Sequence, residues 1–302
     1  MNSPFDLDCH AEYALWRAAK LANYPVSANE LLVDVADPFA LSPSELSALQ
    51  QCCKRANMAI YRSGLLHEDK NIPRQVAAQL GLHRLDCNWL ADEDGISPIA
   101  VAGQLGERGV FIPYTNRPIK WHTDGYYQPP ERHIQSMVLH CVRPAASGGE
   151  NALLDQDMIY IAMRDANPDW VRALMAPDAM SIPARQDDDG VARGEQNGPV
   201  FAIDATSGEL HMRYTARTRS IAWKDDPLTR AALAFLEQLL ASDSPAIFRL
   251  TLQAGMGLVC NNVLHDRAGF TDDLAAPRLL YRARYLDRIT SNLSNKSASS
   301  AI

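Results

Sequence analysis

The sequence predicts a mainly β fold with flanking helices, a double-stranded β-helix of the jelly-roll kind. Three observations point there. From residue 109 onward, short β-branched or aromatic runs recur at close spacing, at 110–114, 137–142, 152–154, 200–203, 210–214, 247–252, 258–260 and 279–285. Turn residues separate them, as in antiparallel sandwiches and barrels. Helical periodicity is confined to the front of the chain and to two insertions.

In chain order, a helix is expected over 11–22. A second starts after Ser42, where Ser42 and Glu45 have capping-box spacing ahead of Leu46 and Leu49. Residues 58–61 read as a buried strand, and 72–80 as a helix closed by Gly81. Within the β-rich part, helices are expected near 157–173 and over 227–240, whose apolar residues recur on one face. The polar stretch 184–199 reads as a long loop, either a lid or a disordered segment. The tail 290–302, rich in Ser and Asn, is expected to be disordered. Residues 1–289 are read as one domain, with its core at 58–289 behind an N-terminal helical extension.

The 302 residues are 47% hydrophobic and carry a net charge of −7, so a large core is available. An acidic chain is a poor partner for nucleic acid or an anionic membrane. No stretch approaches the roughly 20 apolar residues of a membrane span, and MNSPFDLDCH lacks the features of a secretory signal. None of the six cysteines forms a C-x-x-C pair. Reduced, packed thiols and a cytoplasmic location are expected.

The chemistry concentrates at Trp121-His122-Thr123-Asp124. On a strand, residues i and i+2 share a face, so His122 and Asp124 can present an imidazole and a carboxylate to one ion. The motif is weak alone, and His67-Glu68-Asp69 repeats it in a charged stretch with no flanking strand. His265 separates the two copies, because it follows the expected strand 258–260. Two imidazoles and one carboxylate leave three positions open on a metal, the arrangement of non-haem Fe(II) oxygenases. Arg278 follows thirteen residues after His265 and shares a strand face with Leu280, Arg282 and Arg284. Three arginines on one side of a central strand need anionic partners. A planar guanidinium suits a carboxylate ligand, but an exposed face paired with Asp and Glu fits the pattern equally.

Taken together, His122-x-Asp124, His265, Arg278 and Arg282 resemble the taurine dioxygenase family, which includes clavaminate synthase-like members. Ser147-Gly148-Gly149-Glu150-Asn151 is similar to the family's Gly-Gly turn, with Asn151 where the family usually has Thr. Leu210-His211-Met212-Arg213-Tyr214 is similar to its late strand, and Asn262 to the Asn ahead of its distal His. The matches run from about residue 58 to 289.

The resemblance implies a cupin-like jelly-roll that uses Fe(II), 2-oxoglutarate and O2, and an oxidoreductase that hydroxylates a small polar or anionic substrate with release of succinate and CO2. It makes His122, Asp124 and His265 the metal ligands. It sets Arg278 on the distal carboxylate of 2-oxoglutarate, with Asn151 assisting and Arg282 near the other end or the substrate. Tyr126, Arg217 and Arg219 join Arg282 as candidates for the substrate side. Family members often form homo-oligomers, and the sequence identifies no interface. Two other readings are a cupin-like isomerase or hydrolase without 2-oxoglutarate, and a non-catalytic binding module. The first has no reason to place Arg278 and Arg282 where they are, and the second would not require an intact His/Asp/His triad.

Overall fold

The structure, a computed structural model, describes residues 3–87, 94–101, 111–187, 190–205, 207–219 and 221–290, the side chains of 185–192 excepted. The front of the chain holds α1 (His10–Asn23), β1 (Leu32–Val35), α2 (Pro43–Ala56), β2 (Met58–Ser63) and α3 (Asn71–Gln79). The capping box at α2 forms as expected. The Ser42 hydroxyl accepts from the Glu45 amide while the Glu45 carboxylate accepts from the Ser42 amide, satisfying donors the helix cannot. The N-terminal segment is more than a helical extension, because β1 runs parallel to β2 and lengthens the main sheet.

The jelly-roll strands follow as β3 (Ser97–Ile99), β4 (Ile119–His122), β5 (Ser136–Arg143), β6 (Asn151–Leu154), β7 (Ile247–Leu250), β8 (Met256–Cys260), β9 (Leu264–Arg267) and β10 (Leu279–Tyr285). They form a six-stranded sheet in the order β1-β2-β8-β5-β10-β3 and a four-stranded sheet in the order β7-β6-β9-β4. Consecutive residues point to opposite faces, which divides the core. Leu153 packs in a cluster with residues of the major sheet and of α2 and α3. Its neighbour Leu154, with Leu264, packs outward against α4 (Gln156–Ala166), α5 (Pro168–Leu174) and α6 (Pro227–Leu240).

Three local expectations are corrected. The helix expected over 157–173 is two helices. Asn167, in extended conformation (φ −163°), ends α4 and caps α5 by accepting from Asp169 N, and Pro168 has no N–H to continue the ladder. Residues Ile112–Tyr114 form a 3-10 turn around Pro113 rather than a strand. The stretch 184–199 has structure of its own. Arg185–Asp187 pairs with Gly190–Arg193, and Gln196–Gly198 pairs with Met180–Ile182. The expected tail from 291 on lies outside the described residues. Among the described residues, no helix is long and apolar enough to cross a membrane.

Candidate active site

His122 ends β4, and His265 lies directly opposite it on β9. Their rings stand 4.3 Å apart between centroids. Asp124 lies just past the strand, in the turn that follows, so strand alternation alone does not hold it. Asn262 does. Its Oδ1 accepts from the Asp124 amide at 2.8 Å, and its Nδ2 donates to the Asp124 carbonyl at 2.9 Å and to Ile134 O at 2.7 Å. Asn262 itself sits at φ 50°, a left-handed conformation that Asn tolerates better than most residues. Gly125 (φ +68°) completes the turn, because a Cβ there would run into Ile134.

One ligand atom from each of His122, Asp124 and His265 lies within 4.8 Å of the others. His122 Nδ1 lies 2.9 Å from Lys120 O, and His265 Nδ1 lies 2.9 Å from Val263 O. Each Nδ1–H therefore donates to a carbonyl, which leaves Nε2 with its lone pair free for a metal. Burial, reinforced by His265, pushes the His122 imidazole down to about 3, so it is neutral at pH 7. Burial alone would raise the Asp124 carboxyl, but Arg282 and then Arg284 outweigh it and hold the group well below the usual carboxylate range. Arg282 Nη1 donates to Asp124 Oδ1 at 3.2 Å, while Oδ2 is buried without a partner among the described residues. A neutral His122 imidazole, His265 Nε2 beside it and an ionised Asp124 carboxylate with an orphan oxygen suit a divalent iron.

The arginines in β10 and Arg278 just ahead of it meet three different fates. Arg282 pairs with Asp124. Arg284 donates to Asp86 Oδ2 at 2.7 Å and to the Tyr127 hydroxyl at 3.2 Å. Arg278 is 5% exposed, and its Nη1 is buried with no partner among the described residues. It lines a cavity with Gly148, Gly149, Asn151, Thr251 and Leu280. Gly148 (φ +74°) and Gly149 (φ +73°) let the turn close over this cavity, since a Cβ on Gly148 would strike Gly269 O. A buried guanidinium with an orphan donor in a small, partly open pocket fits a ligand carboxylate. Asn151 lines the cavity while its Nδ2 donates to Asp266 O at 2.9 Å.

Tyr126 and Arg217 come together, with Arg217 Nη1 donating to the Tyr126 hydroxyl at 3.2 Å. The backbone explains the meeting. Tyr126 follows Asp124 by two residues, and Thr215 bridges His122 across the edge of β4. Arg219 is exposed and makes no hydrogen bond or ion pair to these residues. The second H-x-D differs sharply, since the His67 side chain is 58% exposed. Sequence reasoning missed Asp86, which also accepts from Arg132 at 2.6 Å. The need for an anion near Arg284 was legible, but its source 198 residues earlier was not.

Residues 91–284 match the family described as "Taurine catabolism dioxygenase TauD, TfdA family". A protein from Amycolatopsis sp named uridine-5'-phosphate dioxygenase is 33% identical over 174 residues, covering 55% of this chain and 60% of the relative. A protein of the same name from Streptomyces sp is 31% identical over 202 residues, covering 64% of this chain and 70% of the relative. The non-heme iron oxygenase OrfP, solved in complex with Fe and alpha-ketoglutaric acid, superposes with a TM-score of 0.61. It is 15% identical, with 83% of this chain and 84% of that chain covered, a likeness of fold. The chain belongs to the TauD/TfdA family of iron(II)- and 2-oxoglutarate-dependent dioxygenases.

Proposed function

We propose that this protein hydroxylates a small anionic molecule, with a phosphate-bearing compound as the first candidate. His122 Nε2, Asp124 Oδ2 and His265 Nε2 would hold the iron. Arg278 would pair with the distal carboxylate of 2-oxoglutarate, with Asn151 shaping the same cavity. When bound, iron and 2-oxoglutarate supply the oxidising chemistry, in which O2 is consumed and the keto acid is decarboxylated to succinate and CO2.

The chain's own residues do the rest. Arg282 keeps Asp124 ionised and aimed. Asn262 fixes the backbone that carries it. Tyr126 and Arg217 stand on the substrate side, where a guanidinium with no acidic partner among the described residues favours an anion. The names of the two uridine-5'-phosphate dioxygenases support that choice. All six cysteines are free, in keeping with a cytoplasmic setting.

The observation that carries this reading is the orphan Nη1 of Arg278 in a cavity whose Asn151 is bonded to Asp266, the neighbour of His265 in the His/Asp/His cluster. A cupin-like isomerase has no use for that cation. The test is anaerobic addition of Fe(II) and 2-oxoglutarate, followed by a substrate panel that includes uridine-5'-phosphate and uridine. A visible charge-transfer band and succinate release dependent on O2 are expected. Absence of both overturns the reading.

A further inference from the structure

Arg213 is 3% exposed and has no carboxylate partner among the described residues. Its guanidinium gathers backbone carbonyls instead. Nε donates to Tyr126 O at 2.6 Å, and Nη2 donates to Met180 O at 3.2 Å and to Gln196 O at 3.0 Å. The backbone around it is anchored beside the metal ligands. Thr123 N donates to Tyr214 O at 3.0 Å, and Ala216 N donates to Trp121 O at 2.8 Å. One planar fork thus joins the turn after Asp124 to the Met180–Ile182/Gln196–Gly198 ribbon. Lysine is a poor substitute, because its compact ammonium lacks the rigid, spread-out in-plane donors with which Nε and Nη2 hold separate carbonyls.

The neighbouring sequence makes room for the fork. A Cβ on Gly198 would collide with Arg213 Nη1, although the Gly198 backbone lies outside the left-handed region and would accept alanine. A free arginine tip could move aside at little cost, but this one can move only by giving up its carbonyls. A second arginine acts in the same place. Arg193 donates to Tyr127 O at 3.4 Å and to Pro183 O at 2.7 Å. The metal side is held by separate contacts, Asn262 to Asp124 and the β4/β9 pairing of His122 with His265.

We propose that Arg213 is a positioning residue of the substrate pocket: by holding Tyr126 O against Met180 O and Gln196 O, it sets where the Tyr126 hydroxyl and Arg217 stand relative to the iron ligands. The proposal rests on the reading that Tyr126 and Arg217 face the substrate. It separates two functions that share one turn. Asp124 answers to Asn262, and Tyr126 answers to Arg213.

The experiment compares full-length wild type with Arg213→Lys, Gly198→Ala and the double variant. Hydrogen exchange is read at the Gln128 amide, which donates to Gly125 O at 2.8 Å, with the amides of β8 as reference. Kinetics are read by succinate release, with uridine-5'-phosphate as the first probe. Both single variants should exchange at Gln128 at least tenfold faster, with β8 unchanged. They should raise the substrate KM at least tenfold while the 2-oxoglutarate KM stays within twofold. The double variant should add little, since both changes displace one guanidinium. Unchanged exchange at Gln128 in both single variants overturns the proposal. Faster exchange with an unchanged substrate KM overturns it too, because Arg213 would then be merely structural. Absence of O2-dependent succinate in wild type overturns the proposed function and with it the pocket claim. That outcome is distinguishable because the Gln128 exchange still responds.

Discussion

Arg282 and Asp124 form a 3.2 Å contact that crosses from the six-stranded sheet to the end of the four-stranded one, at the point where the metal ligands converge. Arg282 occupies one carboxylate oxygen and leaves the other buried and unpartnered. Asp124 is thereby disposed to bind a metal through a single oxygen. Replacing Arg282 with Met should weaken iron retention, because burial would then act on a carboxylate that has lost its main counter-charge. An Fe(II) titration by equilibrium dialysis would show the loss, and unchanged affinity would refute the pairing's importance.

His122→Ala and His265→Ala should each abolish iron binding while leaving the fold in place. Each removes one of the three proposed metal ligands. Metal analysis alongside circular dichroism checks both halves of this expectation. Retained stoichiometric iron in either variant would show that the metal is held elsewhere.

Arg278→Gln should spare iron and raise the 2-oxoglutarate requirement. Truncating one partner of a buried charged pair costs about 2–5 kcal/mol, so the KM should rise by roughly 30-fold or more. The visible band formed with Fe(II) should need correspondingly more 2-oxoglutarate. An unchanged titration would remove Arg278 from the co-substrate site.

Asn262→Ala should loosen the turn that carries Asp124 without unfolding the protein. It deletes three hydrogen bonds and leaves Asp124 and Ile134 groups buried and unpaired. Supporting contacts of this kind typically alter metal affinity about 10–100-fold. The checks are iron affinity and the thermal midpoint. A large loss of stability with normal iron affinity would make Asn262 a folding residue only.

The metal-free protein should lose stability as the pH falls from 6.5 toward 4. Burial pushes the imidazoles of His133 and His140 down to about 4 and that of His211 to about 3. His133 and His211 stack with centroids 4.9 Å apart. In the unfolded chain these groups take up protons near 6.5, while the folded protein keeps them neutral. Their contribution is therefore complete above 6.5 and declines below it, by up to about 1.4 kcal/mol per group per pH unit. Urea midpoints at pH 7.5, 6.5 and 5.5 would reveal the decline, and equal midpoints would contradict it.

Much of this was legible in the sequence. The ranges 227–240 and 279–285 match α6 and β10, because an amphipathic repeat and an alternating buried strand each leave a periodic trace. Asn167-Pro168 carried a break that apolar periodicity masked, and the pairing within 184–199 left no trace in its polar composition.

By itself, the sequence determined which residues could be ligands. His122, Asp124 and His265 have the side chains, and Arg278, Arg282 and Arg284 declare an unmet need for anions. Only the tertiary structure decided how that need was met. It assigned Asp124 to Arg282 and Asp86 to Arg284, and among the described residues it left Arg278 Nη1 without an acceptor. The physical reason is that alternation along a strand sets the face a side chain occupies, whereas its partner comes from whichever distant segment the packing brings opposite. The cavity proposed for the co-substrate is accordingly marked by a donor without a partner among the described residues, which no reading of local sequence can supply.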